Sequence, residues 1–240
     1  LAAMGADPEY YSLSLSLPKI KAKNFIQNFV KGLKEDHKEY KIKLLGGDLT
    51  ASPDIIAITI NIIGTVPRGK CISRSNSMAN DLLYVTGTLG LSNIGLLNLY
   101  KNDKKYSKAK LKYYLPQPRV SFSASVRNFV TSMIDISDGL VQDCRHLARE
   151  SNLEFVINLK NLPISNINLL SYKERLNSAL IGGDDYELLF TSAPKHKEKI
   201  NKIAKLHDLK VTNIGYVKIG NNGQVTSNNR PINIDAYKHF

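Results

Sequence analysis

Only two cysteines, Cys71 and Cys144, occur in the 240 residues of the chain. They are far apart, without metal-type spacing and too few for a disulfide framework, so a reducing cytoplasm is the expected setting. Long apolar runs are also absent. The longest, residues 55–63, is interrupted by Thr59 and Asn61 and is far shorter than the roughly 20 residues a membrane helix requires; no membrane partner is expected. Leu1-Ala2-Ala3-Met4-Gly5 has no basic n-region, sustained apolar stretch or cleavage signal, so secretion is not expected. No G-x-x-x-x-G-K-[ST] loop, protein-kinase signature set or G-x-S-x-G elbow is found, which argues against the ordinary forms of those machineries. The histidines His37, His146, His196, His207 and His239 share no ligand spacing and lie mostly in charged segments. None reads as catalytic. Acid is scarce beside base: 21 Asp and Glu against 33 Lys and Arg, a formal charge of +12. Such a surface attracts phosphorylated ligands, but without an aromatic-interleaved basic cluster or a groove-reading motif no nucleic-acid partner is expected.

What is present suits one large domain or two smaller ones, with 42% hydrophobic residues to build a substantial core. Residues 12–17 alternate polar and apolar, as a strand with one buried face does. Phe25, Ile26, Phe29, Val30 and Leu33 recur at helical spacing, and residues 41–45 read as a short strand ending at Gly46-Gly47-Asp48. Ile56, Ile58, Ile60 and Ile62 mark the clearest strand. A break follows over residues 64–69, and a domain boundary is expected near Pro67, dividing residues 1–66 from 67–240. Beyond it the pattern predicts strands at 81–86, 133–136, 154–159, 187–191 and 211–219. Helices are predicted over 90–99, 104–114, 120–130, from Asp138 onward, and over 195–206. This alternation argues an α/β or α+β architecture, and the expected fold class is α+β, α/β sandwich-like.

Three constellations can carry chemistry. Gly46-Gly47-Asp48-Leu49-Thr50 reads either as a turn with a solvated carboxylate or as a place where backbone approaches phosphate beside a magnesium ligand. In Ile134-Asp135-Ile136-Ser137-Asp138-Gly139-Leu140 two acids bracket a hydroxyl where a strand runs into a helix. Ser137 or Asp138 is then an N-cap, or the set holds Mg²⁺ and phosphate beside helix amides. Gly182-Gly183-Asp184-Asp185-Tyr186-Glu187 concentrates three acids before an apolar strand, which suits either a solvated turn or the handling of a metal or a cationic ring. Arg74 is a surface residue or a phosphate donor.

Together with residues 1–6, 64–74 and 80–90 and the ending Ala236-Tyr237-Lys238-His239-Phe240, these motifs stand in the order seen in thiamine-monophosphate kinases, and the chain resembles that family over essentially its whole length. The resemblance implies the two-domain fold shared with aminoimidazole ribonucleotide synthetase, with an incomplete N-terminal domain for ATP binding and dimerisation. It implies a homodimer built through N-terminal-domain strands, and transfer of the ATP γ-phosphoryl group to thiamine monophosphate. By motif, Gly47, Asp48, Arg74 and Ser137 are expected on the nucleotide, Asp48, Asp135 and Asp138 on Mg²⁺, and Asp184 and Tyr237 on the thiamine moiety. The acceptor is an ionised phosphate, so no residue is expected to act as general acid or base. The sequence departs from the family's usual pattern at Asp184, where glutamate is usual, at Asn80, where glycine is, and at Leu49, where threonine is common. The family's opening segment, with its paired-aspartate metal motif, has no counterpart before Leu1. An inactive or regulatory nucleotide-binding remnant, or another ATP-using member of the superfamily, is therefore the alternative expectation.

Overall fold

The computed structural model describes residues 1–101, 103–167 and 170–233. They form two compact units, one of Leu1 with residues 6–67 and one of residues 2–5 with the described residues from Arg68 onward.

In the first unit, β1 (Asp7–Pro18), α1 (Lys19–Tyr40) and β2 (Lys43–Ser52) make a β-α-β unit, followed by β3 (Ala57–Thr65). The strand order is β2-β1-β3, parallel between β1 and β2 and antiparallel between β1 and β3. Period-two alternation sends Tyr11, Leu13, Leu15 and Leu17 of β1 to one face, where they pack against Phe25, Ile26, Phe29 and Leu33 of α1. Ile58, Ile60 and Ile62 stand opposite Leu15, Leu13 and Tyr11 and so share that face, yet they remain 43%, 45% and 47% exposed. Beside them, Phe25, Phe29, Leu33, Ile56 and Ile60 line an apolar groove of about 740 Å³.

One expectation is corrected here: Gly46-Gly47-Asp48 does not end a strand. β2 runs through it to Ser52, with Gly47 opposite Leu13 and Asp48 opposite Ser14. The chain passes the glycines because the register shifts between Tyr11 and Ser12, and this irregularity absorbs what would otherwise be a turn.

The second unit is a seven-stranded sheet of order β10-β9-β6-β8-β4-β7-β5. It contains β4 (Leu82–Thr86), β5 (Ser132–Asp135), β6 (Glu154–Ile157), β7 (Leu188–Ser192), β8 (Val211–Lys218), β9 (Val225–Ser227) and β10 (Arg230–Pro231). All neighbouring pairs are antiparallel except β6 with β9. The helices are α2 (Leu91–Leu97), α3 (Ser107–Tyr114), α4 (Val120–Val126), α5 (Leu140–Glu150), α6 (Tyr172–Ile181) and α7 (Lys197–Leu206). Strand alternation feeds two cores. Leu83, Val85, Ile134 and Leu189 pack with Leu140, Val141, Cys144 and Leu147 of α5 and Ala179 of α6, while Tyr84, Met133 and Phe190 pack with Phe122 and Val126 of α4 and Ile200 and Ile203 of α7. Burying each large apolar side chain contributes about 1.5–3 kcal/mol. The sheet is thus covered on both faces, which agrees with the mixed helix and sheet architecture expected.

Local chemistry sets the ends of these elements. Ser171 and Glu174 form a reciprocal capping box at the start of α6, and Pro116 and Pro118 follow the end of α3. α4 stops at Val126, short of the expected 130. Asp138 does not open α5; the helix begins at Leu140, behind Gly139 at φ 114°. Neither Ser137 nor Asp138 is its N-cap, because Gly139 holds that position without a side-chain bond.

Candidate active site

β5 and β7 are adjacent, with Asp135 opposite Leu188, so the segment leaving β5 lies beside the segment entering β7. The two are laced together by their backbones. The Asp184 amide donates to the Ser137 carbonyl at 2.9 Å, the Tyr186 amide to the Ile136 carbonyl at 2.9 Å, and the Ile136 amide to the Glu187 carbonyl at 2.8 Å. Gly183 permits this approach: a Cβ there would lie 2.2 Å from the Ser137 carbonyl oxygen. Asp184 and Tyr186 take positive φ values of 63° and 48°, a conformation uncommon outside glycine that concentrates at functional sites.

Two motifs separated by more than forty residues therefore become one loop pair. It brings together Asp135, Ser137, Asp138 and Asp184, all partly buried. The Tyr186 hydroxyl donates to Asp184 Oδ1 at 3.3 Å. Burial raises the Tyr186 pKa, and the charges of Asp184, Asp135 and Asp138 raise it further, so three carboxylates act on one phenol. Arg74 is exposed; its carbonyl accepts from Ser151 Oγ at 3.3 Å. Burial lowers the pKa of His146, and Arg74 and Asp138 act on it with opposite sign. Arg74 accordingly stands on the α5 side of the loop pair. Gly47 and Asp48 belong to the first unit, with Asp48 exposed and accepting from the Leu49 amide at 2.9 Å. Tyr237 lies outside the described residues.

The acid-rich turn is not uniformly solvated, as one sequence reading would have it. Asp185 and Glu187 are 0% and 1% exposed. Asp185 accepts from the amides of Gly90 at 2.6 Å and Ser92 at 3.3 Å, and burial pushes its pKa up to about 7. Glu187 takes a fork from Arg119, Nε to Oε2 at 2.8 Å and Nη2 to Oε1 at 2.6 Å, with Lys112 Nζ at 2.8 Å and Thr86 Oγ1 at 2.7 Å. Burial alone would raise its pKa, but Arg119 and Lys112 outweigh burial and hold it below the usual glutamate range. Of the three acids, only Asp184 faces outward enough to meet a ligand.

Sequence reasoning did not single out Asp143. It is 1% exposed, its Oδ2 accepts from the amides of Ser137 and Asp138 at 3.1 Å each, and burial pushes its pKa up to about 7. The signal available was an acid in the first turn of α5, a position usually explained by the helix dipole.

Residues 1–66 match the family model for the AIR synthase related protein N-terminal domain, and residues 79–228 the model for its C-terminal domain; the protein class is that of the AIR synthase-related two-domain proteins. A thiamine-monophosphate kinase of Buchnera aphidicola subsp. Schizaphis graminum is 39% identical over 233 residues, covering 93% of this chain and 70% of that protein. Among solved structures, thiamine-monophosphate kinase from Stenotrophomonas maltophilia K279a has a TM-score of 0.88 at 33% identity, covering 95% of this chain and 74% of that one. AaThiL complexed with AMPPCP and TMP has a TM-score of 0.87 at 30% identity, covering 100% of this chain and 76% of that one. The chain belongs to the thiamine-monophosphate kinase family.

Proposed function

We propose that this chain catalyses ATP-dependent phosphorylation of thiamine monophosphate to thiamine diphosphate. The observation that carries the reading is the interlocked loop pair, which gathers Asp135, Ser137, Asp138 and Asp184 at the adjoining ends of β5 and β7; family membership specifies the reaction.

The donor set fits magnesium. Asp135 and Asp138 offer hard carboxylate oxygens that are neither fully buried nor spent on lysine or arginine among the described contacts, which is the ligand type this ion takes. In the second unit we assign Asp135 and Asp138 to Mg²⁺ and Arg74 and Ser137 to the nucleotide; in the first we assign Asp48 to Mg²⁺ and, with Gly47, to the nucleotide. Asp184 and Tyr237 are assigned to the thiamine moiety. Bound Mg²⁺ would supply charge neutralisation for the phosphates. The chain's own residues orient and shield. Asp184, held at a fixed φ and bonded by Tyr186, presents a negative charge suited to a cationic thiazolium ring. Ser137 Oγ offers a hydroxyl to a phosphate oxygen, and Arg74 a guanidinium. No residue is needed to take a proton, because the acceptor phosphate is already ionised.

We further propose a homodimer through the first unit. Its support is the isoleucine row of β3, left about half exposed on the face that α1 covers only in part, a kind of surface that marks an interaction site. Cytoplasmic residence is the accompanying proposal, resting on the two free cysteines. Among the described residues no helix is long and apolar enough to cross a membrane.

The test is turnover. The full-length protein with ATP, Mg²⁺ and thiamine monophosphate should form thiamine diphosphate, with sedimentation showing two copies per particle. Absence of product at saturating Mg²⁺, with ATP still bound, would favour the regulatory nucleotide-binding alternative instead.

A further inference from the structure

Gly139 is the N-cap of α5, which places Asp143 in the first turn. An acid there ordinarily faces its own helix's unpaired amides. Asp143 does not. Its amide is already in the helix ladder, bonded to the Gly139 carbonyl at 3.0 Å, and its carboxylate reaches back past the N-cap. There a single oxygen, Oδ2, receives the amides of both Ser137 and Asp138 at 3.1 Å. Two amides aimed at one acceptor fix two successive peptide planes, and with them the direction in which the Ser137 side chain leaves the backbone and the place from which Asp138 starts. The carbonyl side of the same turn is held independently, with Ser137 O accepting from the Asp184 amide at 2.9 Å. Asp143 is 1% exposed, so water cannot readily replace it as acceptor, and an unpaired buried amide costs about 1–3 kcal/mol.

We propose that Asp143 is a positioning residue for the metal and nucleotide ligands, acting through the backbone: it sets the peptide planes that aim Asp138 and Ser137, and does not itself touch the ligands. The proposal rests on the assignment of Asp138 to Mg²⁺ and Ser137 to ATP made above. Oxygen and nitrogen atoms of Asp138, Asp143 and His146 lie within 4.8 Å of one another; what sets Asp143 apart is that it is 1% exposed with Oδ2 turned to the two amides, whereas Asp138 is only partly buried. The relation follows the general pattern in which groups behind the direct ligands hold them in place.

Wild type, Asp143→Ala and Asp143→Asn are compared in the full-length protein by calorimetric titration of ATP at graded Mg²⁺, together with amide hydrogen exchange at Ser137 and Asp138. In Asp143→Ala the Mg²⁺ concentration that half-saturates ATP binding should rise about 10–100-fold, the usual cost of losing such a group, and both amides should exchange faster. Asparagine keeps a carbonyl oxygen for the two amides, so Asp143→Asn should retain slow exchange and most of the Mg²⁺ dependence. A folded Asp143→Ala protein with unchanged Mg²⁺ dependence would reduce Asp143 to a stabilising residue and overturn the proposal. If alanine prevents folding, Asp143→Asn decides alone: weakened Mg²⁺ dependence with both amides still protected would show that its charge acts on the ion directly. Failure of wild type to bind ATP and Mg²⁺ overturns the underlying assignment, and is seen before any variant is made.

Discussion

Replacing Glu187 with glutamine tests how the substrate-side loop is held. The carboxylate lies 1% exposed between Arg119 and Lys112, whose side chains are 20% and 14% exposed. It accepts four hydrogen bonds, two from Arg119 and one each from Lys112 and Thr86. Glutamine keeps one acceptor oxygen and turns an NH₂ group toward donors, so at least one half of the Arg119 fork and one further bond are lost. Two cations of low exposure then face each other without their shared anion. Removing one partner of a buried ion pair costs about 3–5 kcal/mol. In a unit of this size each kcal/mol moves the melting temperature by about 2–4 °C, giving a fall of roughly 6–20 °C. The assay is thermal and urea unfolding followed by far-ultraviolet circular dichroism, with transitions of the two units fitted separately because a single two-state fit is not assured. Glu187→Gln with Arg119→Gln completes a cycle, and the two losses should be strongly non-additive, since both substitutions break the same Arg119–Glu187 fork. A melting temperature within about 2 °C of wild type, a change below about 1 kcal/mol, would refute the reasoning, because it would mean that solvent reaches the cluster freely.

Two further outcomes follow from the same loop pair. Gly183→Ala would drive a Cβ to within 2.2 Å of the Ser137 carbonyl; overpacking of this kind costs about 1–3 kcal/mol, and displacement of the site by about 1 Å should cut kcat/KM on the order of 100-fold. A fully active Gly183→Ala enzyme would show that the close approach is not needed. Asp185 has its pKa raised, chiefly by burial, to about 7, against about 3.9 for an unfolded aspartate. In the pH window between those values the folded chain retains a proton that the unfolded chain has released, so this group's contribution is full below pH ~4, declines up to pH ~7, and is constant above. Urea midpoints measured across that window should show a shallower decline in Asp185→Asn than in wild type, while Asp143, raised for the same main reason, preserves part of the slope. Equal slopes in the two proteins would place the Asp185 titration outside this range. Glu187, with a depressed pKa, acts oppositely, its contribution being lost only as pH falls below the ordinary glutamate range.

Much of this molecule is written in local periodicity. The buried alternation of Tyr11, Leu13, Leu15 and Leu17, the helical recurrence of Phe25, Phe29 and Leu33, and the α5 face of Leu140, Val141, Cys144, Leu147 and Ala148 are set by where apolar side chains must point at periods of two and 3.6. Motif order alone also identified the family, because glycine and acid placements record backbone approach and charge, both of which are local. What sequence could not assign was the fate of each acid. Asp184, Asp185 and Glu187 are near neighbours in one motif, yet one faces outward, one is held by the amides of Gly90 and Ser92, and one is clamped by Arg119 and Lys112. Those partners come from chain segments 68 to 95 residues away. Burial, charge pairing and amide satisfaction depend on which segments the sheet makes neighbours, and β7 gains β4 on one side and β5 on the other only in the folded sheet. The same reason hid Asp143: its residue type and helix position are ordinary, and its role exists only because the turn before α5 folds back within reach of its carboxylate.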